Sequence, residues 1–260
     1  MSTIAPRSGH APDFRLRLAS GADDIRAAQR LRYRVFVEEL GGGGPMVDHE
    51  AGLEVDRFDA WFDHLLLLDN ARSPEDRVVG VYRLLRADQA AQAGQFYSEG
   101  EYDLSALRSS GRTLLELGRS CVDARYRGGP ALLNLWQGLA SYVVDHGIEV
   151  LFGVASFHGT DPVALAAPLS LLHHRHLAPP ALRARSLQYQ PMDLIAKETL
   201  DRRAAMVQVP PLIKAYLRLG GHVGDGAYID HAFNTTDVCL TMDTAGLSAS
   251  RRALYFGDGA

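Results

Sequence analysis

The chain has 260 residues and a formal net charge of −4; 47% of its residues are hydrophobic and 22% charged. That supplies a sizeable core for one large domain or two small ones, and the acidic balance argues against a general nucleic-acid binder. Two cysteines, Cys121 and Cys239, make neither a disulfide framework nor a zinc pattern, and no apolar run nears the roughly 20 residues of a membrane span, so a reducing cytosol and only peripheral membrane contact are expected.

Met1 to Pro12 is polar, lacks the apolar core of a signal peptide and is predicted to be a disordered tail. Phe14 to Ala19 alternates and reads as a strand. Ser20 is the expected cap of a helix to about Leu40, with Asp23 and Asp24 in its first turn and Ile25, Leu31, Val35 and Phe36 as its apolar stripe. Arg32 and Phe36 lie one turn apart on it. Gly41 to Gly44 and Pro45 end it, and residues 41–60 read as a long acidic loop. Asp48, Glu50, Glu54, Asp56, Asp59 and Asp63 form an acidic cluster that suits a cationic substrate better than calcium, or is simply solvated.

Phe62 to Asp69 and Arg77 to Leu85 read as two buried strands of a hairpin. His64 and Asp69 lie five apart in a strand, so they face opposite sides; His64 alone, beside the acidic loop, is a site candidate. Ala87 to Phe96 and Leu104 to Ser109 look helical, and Thr113 to Val122 is a strand. Along that strand Glu116 and Arg119 fall on opposite faces unless a bulge near Gly118 brings them into one cleft, as base and partner or as a structural ion pair. The loop after it carries Arg125, Arg127, Gly128 and Gly129 ahead of a helix at Pro130 to His146, a place where backbone N–H groups and the helix dipole receive an anion.

Ile148 to Ala155 reads as a strand and Pro162 to His176 as a helix capped by Thr160. His158, where that strand ends, is a further candidate. His173, His174 and His176 suit a helix C-terminus better than a metal. Arg183 to Gln190, Tyr228 to His231 and Val238 to Met242 read as strands and Leu212 to Leu219 as a helix. No repeat or linker appears, so one α/β domain over 13–243 is predicted, a central twisted mixed sheet covered by helices, with a loosely ordered tail over 244–260.

Arg32-x-x-x-Phe36, Glu54-Val-Asp56-Arg-Phe-Asp59, Val79-Gly-Val-Tyr-Arg83 and Glu116-Leu-Gly-Arg119-Ser-Cys-Val together resemble the N-acyltransferase branch of the GNAT-like fold, which acyl-homoserine-lactone synthases share. Phe62-Asp-His-Leu-Leu-Leu-Leu, Tyr97-Ser-Glu-Gly-Glu-Tyr-Asp103, Leu151-Phe-Gly-Val-Ala-Ser-Phe-His-Gly-Thr160 and the segment from Leu212 to Gly221 resemble the bacterial ornithine lipid synthases. Lactone synthases carry a tryptophan after the Arg-x-x-x-Phe helix, where this chain has Gly41 to Gly44, and that departure favours ornithine.

The resemblance implies transfer of a 3-hydroxyacyl chain from acyl carrier protein to the α-amine of L-ornithine. The phosphopantetheine thioester is then a co-substrate, with no cofactor and no metal. It implies Glu116, Arg119 and Ser120 at the reaction centre and Arg32, Phe36, Asp56, Asp59, His64, Arg83 and His158 around the substrate. Arg125, Arg127, Gly128 and Gly129 would meet the carrier and its pantetheine arm. A cytoplasmic location follows, with peripheral contact at the inner membrane through the lipid product. The alternatives are a lactone synthase and a non-catalytic carrier- or lipid-binding module.

Overall fold

The computed structural model describes residues 11–45 and 47–246. Of the tails predicted over 1–12 and 244–260, residues 1–10 and 247–260 lie outside the described residues, and Thr244–Gly246 form a 3-10 turn. The contacts gather into two compact units, whose described parts are 11–84 with 118–145, and 85–117 with 146–246. Among the described residues eight strands belong to one mixed sheet.

In the first unit, β1 (Phe14–Leu18) pairs antiparallel with β4 (Asp63–Asp69), which pairs antiparallel with β5 (Val78–Arg86). The run of four leucines in β4 is apolar on both faces because both are covered. Leu66 and Leu68 pack with Ala28 and Leu31 of α1 (Ala22–Arg32). Leu65 and Leu67 lie on the side of α4 (Ala131–Asp145): a Cβ at Gly138 would meet Leu65, and one at Gly80 would meet both Leu67 and Leu135. Burying each leucine contributes about 2 kcal/mol.

The helix expected to run evenly to Leu40 changes winding at Tyr33. Residues Tyr33–Glu39 form a π-helix, and Gly41, at φ 74°, closes it. Ser20 is no cap: its N–H and hydroxyl instead donate to Asp24, 2.8 and 3.0 Å away, and Gly21 occupies the cap position. The loop predicted over 41–60 contains a small hairpin of β2 (Val47–Asp48) and β3 (Leu53–Glu54).

In the second unit, β7 (Leu114–Val122) pairs in parallel with β8 (Val150–His158) over Leu114–Glu116, and β8 pairs antiparallel along its whole length with β12 (Thr235–Asp243). The short strands β10 (His222–Val223) and β11 (Tyr228–Asp230) also pair with β12. Helix α2 (Ala87–Ala93) ends three residues before the predicted Phe96, at left-handed Gly94, and a 3-10 turn follows at Tyr97–Gly100.

Then come β6 (Tyr102–Asp103) and α3 (Ser105–Ser109). Helix α5 (Ala166–His176) starts later than predicted, because Asp161 holds a turn: its side chain accepts from Val163 N–H and its carbonyl from Leu165 N–H. The strand expected over 183–190 shrinks to β9 (Arg185–Ser186), which pairs with β6. Two helices follow, α6 (Arg202–Gln208), which the sequence reading lacks, and α7 (Pro211–Arg218). No helix of the described residues is long and apolar enough to cross a membrane. Both cysteines are buried free thiols, Cys121 in the first unit and Cys239 in the second.

Candidate active site

In the first unit the acidic segment after β3 folds onto the end of α1 and makes a buried ionic network. The Arg32 guanidinium clasps Asp59 with both terminal nitrogens, at 2.6 and 2.7 Å, while its Nε faces Glu54 Oε2 at 2.5 Å. Arg83, on β5, donates to Asp56 at 2.6 Å and to Asp59 at 2.8 Å, and its guanidinium stacks 4.3 Å over the Phe62 ring. Arg119 Nε donates to Glu54 Oε1 at 3.1 Å. Gln29 adds a bond to Asp59 at 2.8 Å.

Three arginines thus face three carboxylates in a low-dielectric interior, where planar two-pronged pairing is strongest. Burial alone would raise the Asp59 pKa, but the Arg32 bonds, the charges of Arg32 and Arg83 and the Gln29 amide hold it well below the usual carboxylate range.

His64 is 1% exposed at the start of β4. Its Nε2 lies 3.0 Å from the Asp59 carbonyl, so the neutral ring donates there. Burial pulls its pKa down to about 4; the Asp59 carbonyl opposes that shift and the Arg32 charge reinforces it. Phe36 packs against the apolar cluster of Ala28, Leu31, Leu66 and Val81.

One residue after Gly118, where a bulge is expected, Arg119 takes the left-handed conformation at φ 49°. A non-glycine residue held there costs about 1–3 kcal/mol. Gly118 faces the network: a Cβ there would make ordinary contact, 3.7 Å from Arg83 Nη2 and 3.8 Å from the Phe62 ring. Ser120 follows, half-buried on β7.

In the loop beyond β7, Asp123 grips Arg125 at 2.9 and 2.6 Å, and Glu39 grips Arg127 with both oxygens. Both guanidiniums remain open to solvent on one side. Gly128 takes φ 73° and Gly129 is exposed ahead of α4.

In the second unit the Glu116 carboxylate, 1% exposed, accepts from Tyr97 N–H at 2.7 Å, from Ser98 N–H at 2.6 Å and from the Ser98 hydroxyl. It ties the 3-10 turn to β7. The sequence reading missed Ser98 and Gln29, and counted Glu54 only among the loop acids; the strand and turn that meet at Glu116 are 18 residues apart, so no local pattern reports them. His158 sits exposed at the end of β8, opposite Thr235.

The second unit also gathers Glu101, Asp230 and Asp237, whose carboxylate oxygens lie within 4.8 Å of one another. These are hard oxygen donors of the type that suits a divalent cation or an ammonium group. Among the described residues this is the grouping with metal-ligand chemistry.

Residues 31–137 match the family described as Acetyltransferase (GNAT) domain. A protein of Rhodobacter capsulatus named L-ornithine N(alpha)-acyltransferase is 62% identical over 244 residues, covering 93% of this chain and 94% of its own. One of the same name from Brucella abortus is 46% identical over 255 residues, covering 96% and 90%. Among solved structures, the acyl-homoserine-lactone synthase LasI superposes with a TM-score of 0.52 at 15% identity, covering 95% of this chain and 96% of that one, which shows a shared fold. With identity this high over nearly the whole length, the chain belongs to the family of the L-ornithine N(alpha)-acyltransferases, built on the GNAT fold.

Proposed function

We propose that the protein transfers a 3-hydroxyacyl chain from acyl carrier protein to the α-amine of L-ornithine and releases lyso-ornithine lipid. The observation that carries this reading is the 62% identity over 93% of the chain to a protein named for that acceptor. In the reaction the amine nitrogen bonds to the thioester carbonyl carbon, the carbon–sulfur bond breaks, and the carrier thiol leaves with a proton. Glu116 takes the proton that the ammonium must lose before it attacks. Backbone N–H groups around Gly118 to Ser120 hold the oxyanion.

Asp56 and Asp59, expected from sequence to bind the substrate's cation, already balance Arg83 and Arg32. We therefore assign them and their arginines a positioning part, fixing the 54–59 segment. Arg125 and Arg127, steadied by Asp123 and Glu39, meet the acidic carrier and the pantetheine phosphate.

The test offers the purified protein 3-hydroxyacyl carrier protein with ornithine or with S-adenosylmethionine, and reads products by mass spectrometry. Lyso-ornithine lipid is expected; a lactone, or no transfer to any amine, would overturn the reading. Glu116→Gln is expected to lower kcat by about 10²–10⁴. The same change places an amide N–H₂ or carbonyl where two N–H donors already point, so Ser98→Ala is its control. Ser98→Ala loosens the turn and keeps the carboxylate. If both variants lose activity equally, Glu116 only anchors the turn.

A further inference from the structure

The second unit carries a stripe in which an exposed aliphatic side chain is flanked by basic ones. Both lysines of the chain, Lys197 and Lys214, fall between residues 194 and 219, a segment whose other basic residues are Arg202, Arg203 and Arg218 and whose acids are Glu198 and Asp201, in a chain of net charge −4. One of those acids, Asp201, is spent on capping α6: its Oδ1 accepts from the N–H groups of Arg203 and Ala204, both at 3.0 Å.

Arg203 and Val207 lie one turn apart on α6 and share a face. Val207 is 74% exposed. The Lys214 ammonium donates to the Val207 carbonyl at 2.8 Å, which sets α7 against the end of α6. Arg218, one turn on from Lys214, extends the stripe and is exposed.

The buried side of α7 is accounted for by Ile213 and Tyr216 and that of α6 by Ala205, so the stripe lies on the outward side of both helices. The basic loop ahead of α4 differs, because there each arginine already has a carboxylate partner.

We propose that this stripe, Arg203, Val207, Lys214 and Arg218, is the surface by which the protein docks on an anionic lipid bilayer. Positive charge around an exposed aliphatic side chain is the chemistry that such a surface attracts, and a flat bilayer needs no shaped counterpart. The choice of occupant rests on the proposed function in one respect: a single-chain lipid product leaves most readily into a bilayer.

The experiment is co-sedimentation of the full chain with vesicles. One set contains roughly equal parts phosphatidylglycerol and phosphatidylcholine and the other phosphatidylcholine alone, both at about 0.1 M salt. The protein is expected on the anionic vesicles and to leave them as salt rises. The pair Arg203→Gln with Lys214→Gln is expected to weaken binding about tenfold, and Val207→Ser to weaken it further. The charge-matched pair Arg15→Gln with Arg26→Gln, exposed in the first unit, is expected to leave binding within about twofold.

Equal binding to both vesicle types, or unchanged binding of the stripe variants, would overturn the proposal. So would a stripe pair that binds vesicles normally but raises KM for the acyl carrier protein in a lipid-free assay, since the stripe would then serve the carrier. Sedimentation needs no turnover, so a protein that binds as expected but fails to acylate ornithine sinks the function and leaves the surface standing.

Discussion

At the scale of single residues, the types that matter could be read and their pairing could not. Arg32, Asp56, Asp59 and Arg83 stand out because charge in apolar company needs a reason, yet an acidic run reads equally as a cation pocket. The structure shows the acids answered by arginines from α1, β5 and β7, which no spacing in the sequence predicts. His64 gives a direct test. Its pKa is about 4 in the folded chain against 6.5 unfolded, so the unfolded chain binds the proton first. Its contribution is complete above pH 6.5 and is lost as pH falls toward 4, by about 3 kcal/mol. Urea unfolding across that window should show the slope, and His64→Gln, which keeps a donor for the Asp59 carbonyl, should flatten it. An unchanged slope would mean that another group titrates there.

At the scale of elements, long periodic segments could be read and short ones could not. The leucine run of β4 and the stripe of α4 announce themselves because their burial repeats over several turns or pleats. The two-residue strands β6, β9 and β10 owe their existence to partners far away in sequence, as when Tyr102 pairs with Ser186. The change to π winding at Tyr33 leaves no mark on the apolar pattern. Glycines separate two kinds of packing. A Cβ at Gly153 on β8 would stand 2.1 Å from the Leu117 carbonyl oxygen, backbone that cannot yield. One at Gly138 on α4 would stand 2.0 Å from Leu16 Cδ2, the tip of a side chain with other rotamers. Gly153→Ala is therefore expected to cost about 3 kcal/mol or more and Gly138→Ala about 1 kcal/mol, read as shifts in denaturant midpoint. The reverse order would show that α4 is the less yielding element.

At the scale of the whole molecule, composition suggested an acidic globular chain, the order of hairpins and βα units suggested a mixed sheet, and the sheet is there. The gathering of contacts into two units was hidden because each unit is assembled from separate stretches, and β5 and β7 each give residues to both. Asp24, Asp59, Asp69, Glu99 and Asp123 all have lowered pKa values. Their combined stabilisation is full above the ordinary carboxylate range and is lost as pH falls below it. Unfolding monitored by circular dichroism should steepen below about pH 4, beyond the shallower limb from His64; a flat profile there would show that these pairs contribute nothing net.

The two buried cysteines turn this architecture into a measuring device. Burial pushes the Cys121 thiol up to about 12 and raises that of Cys239 as well, so neither offers a thiolate to a reagent while its surroundings stay closed. Because one lies in each unit, the modification rate at each sulfur clocks the opening of its own half, with no engineered label required.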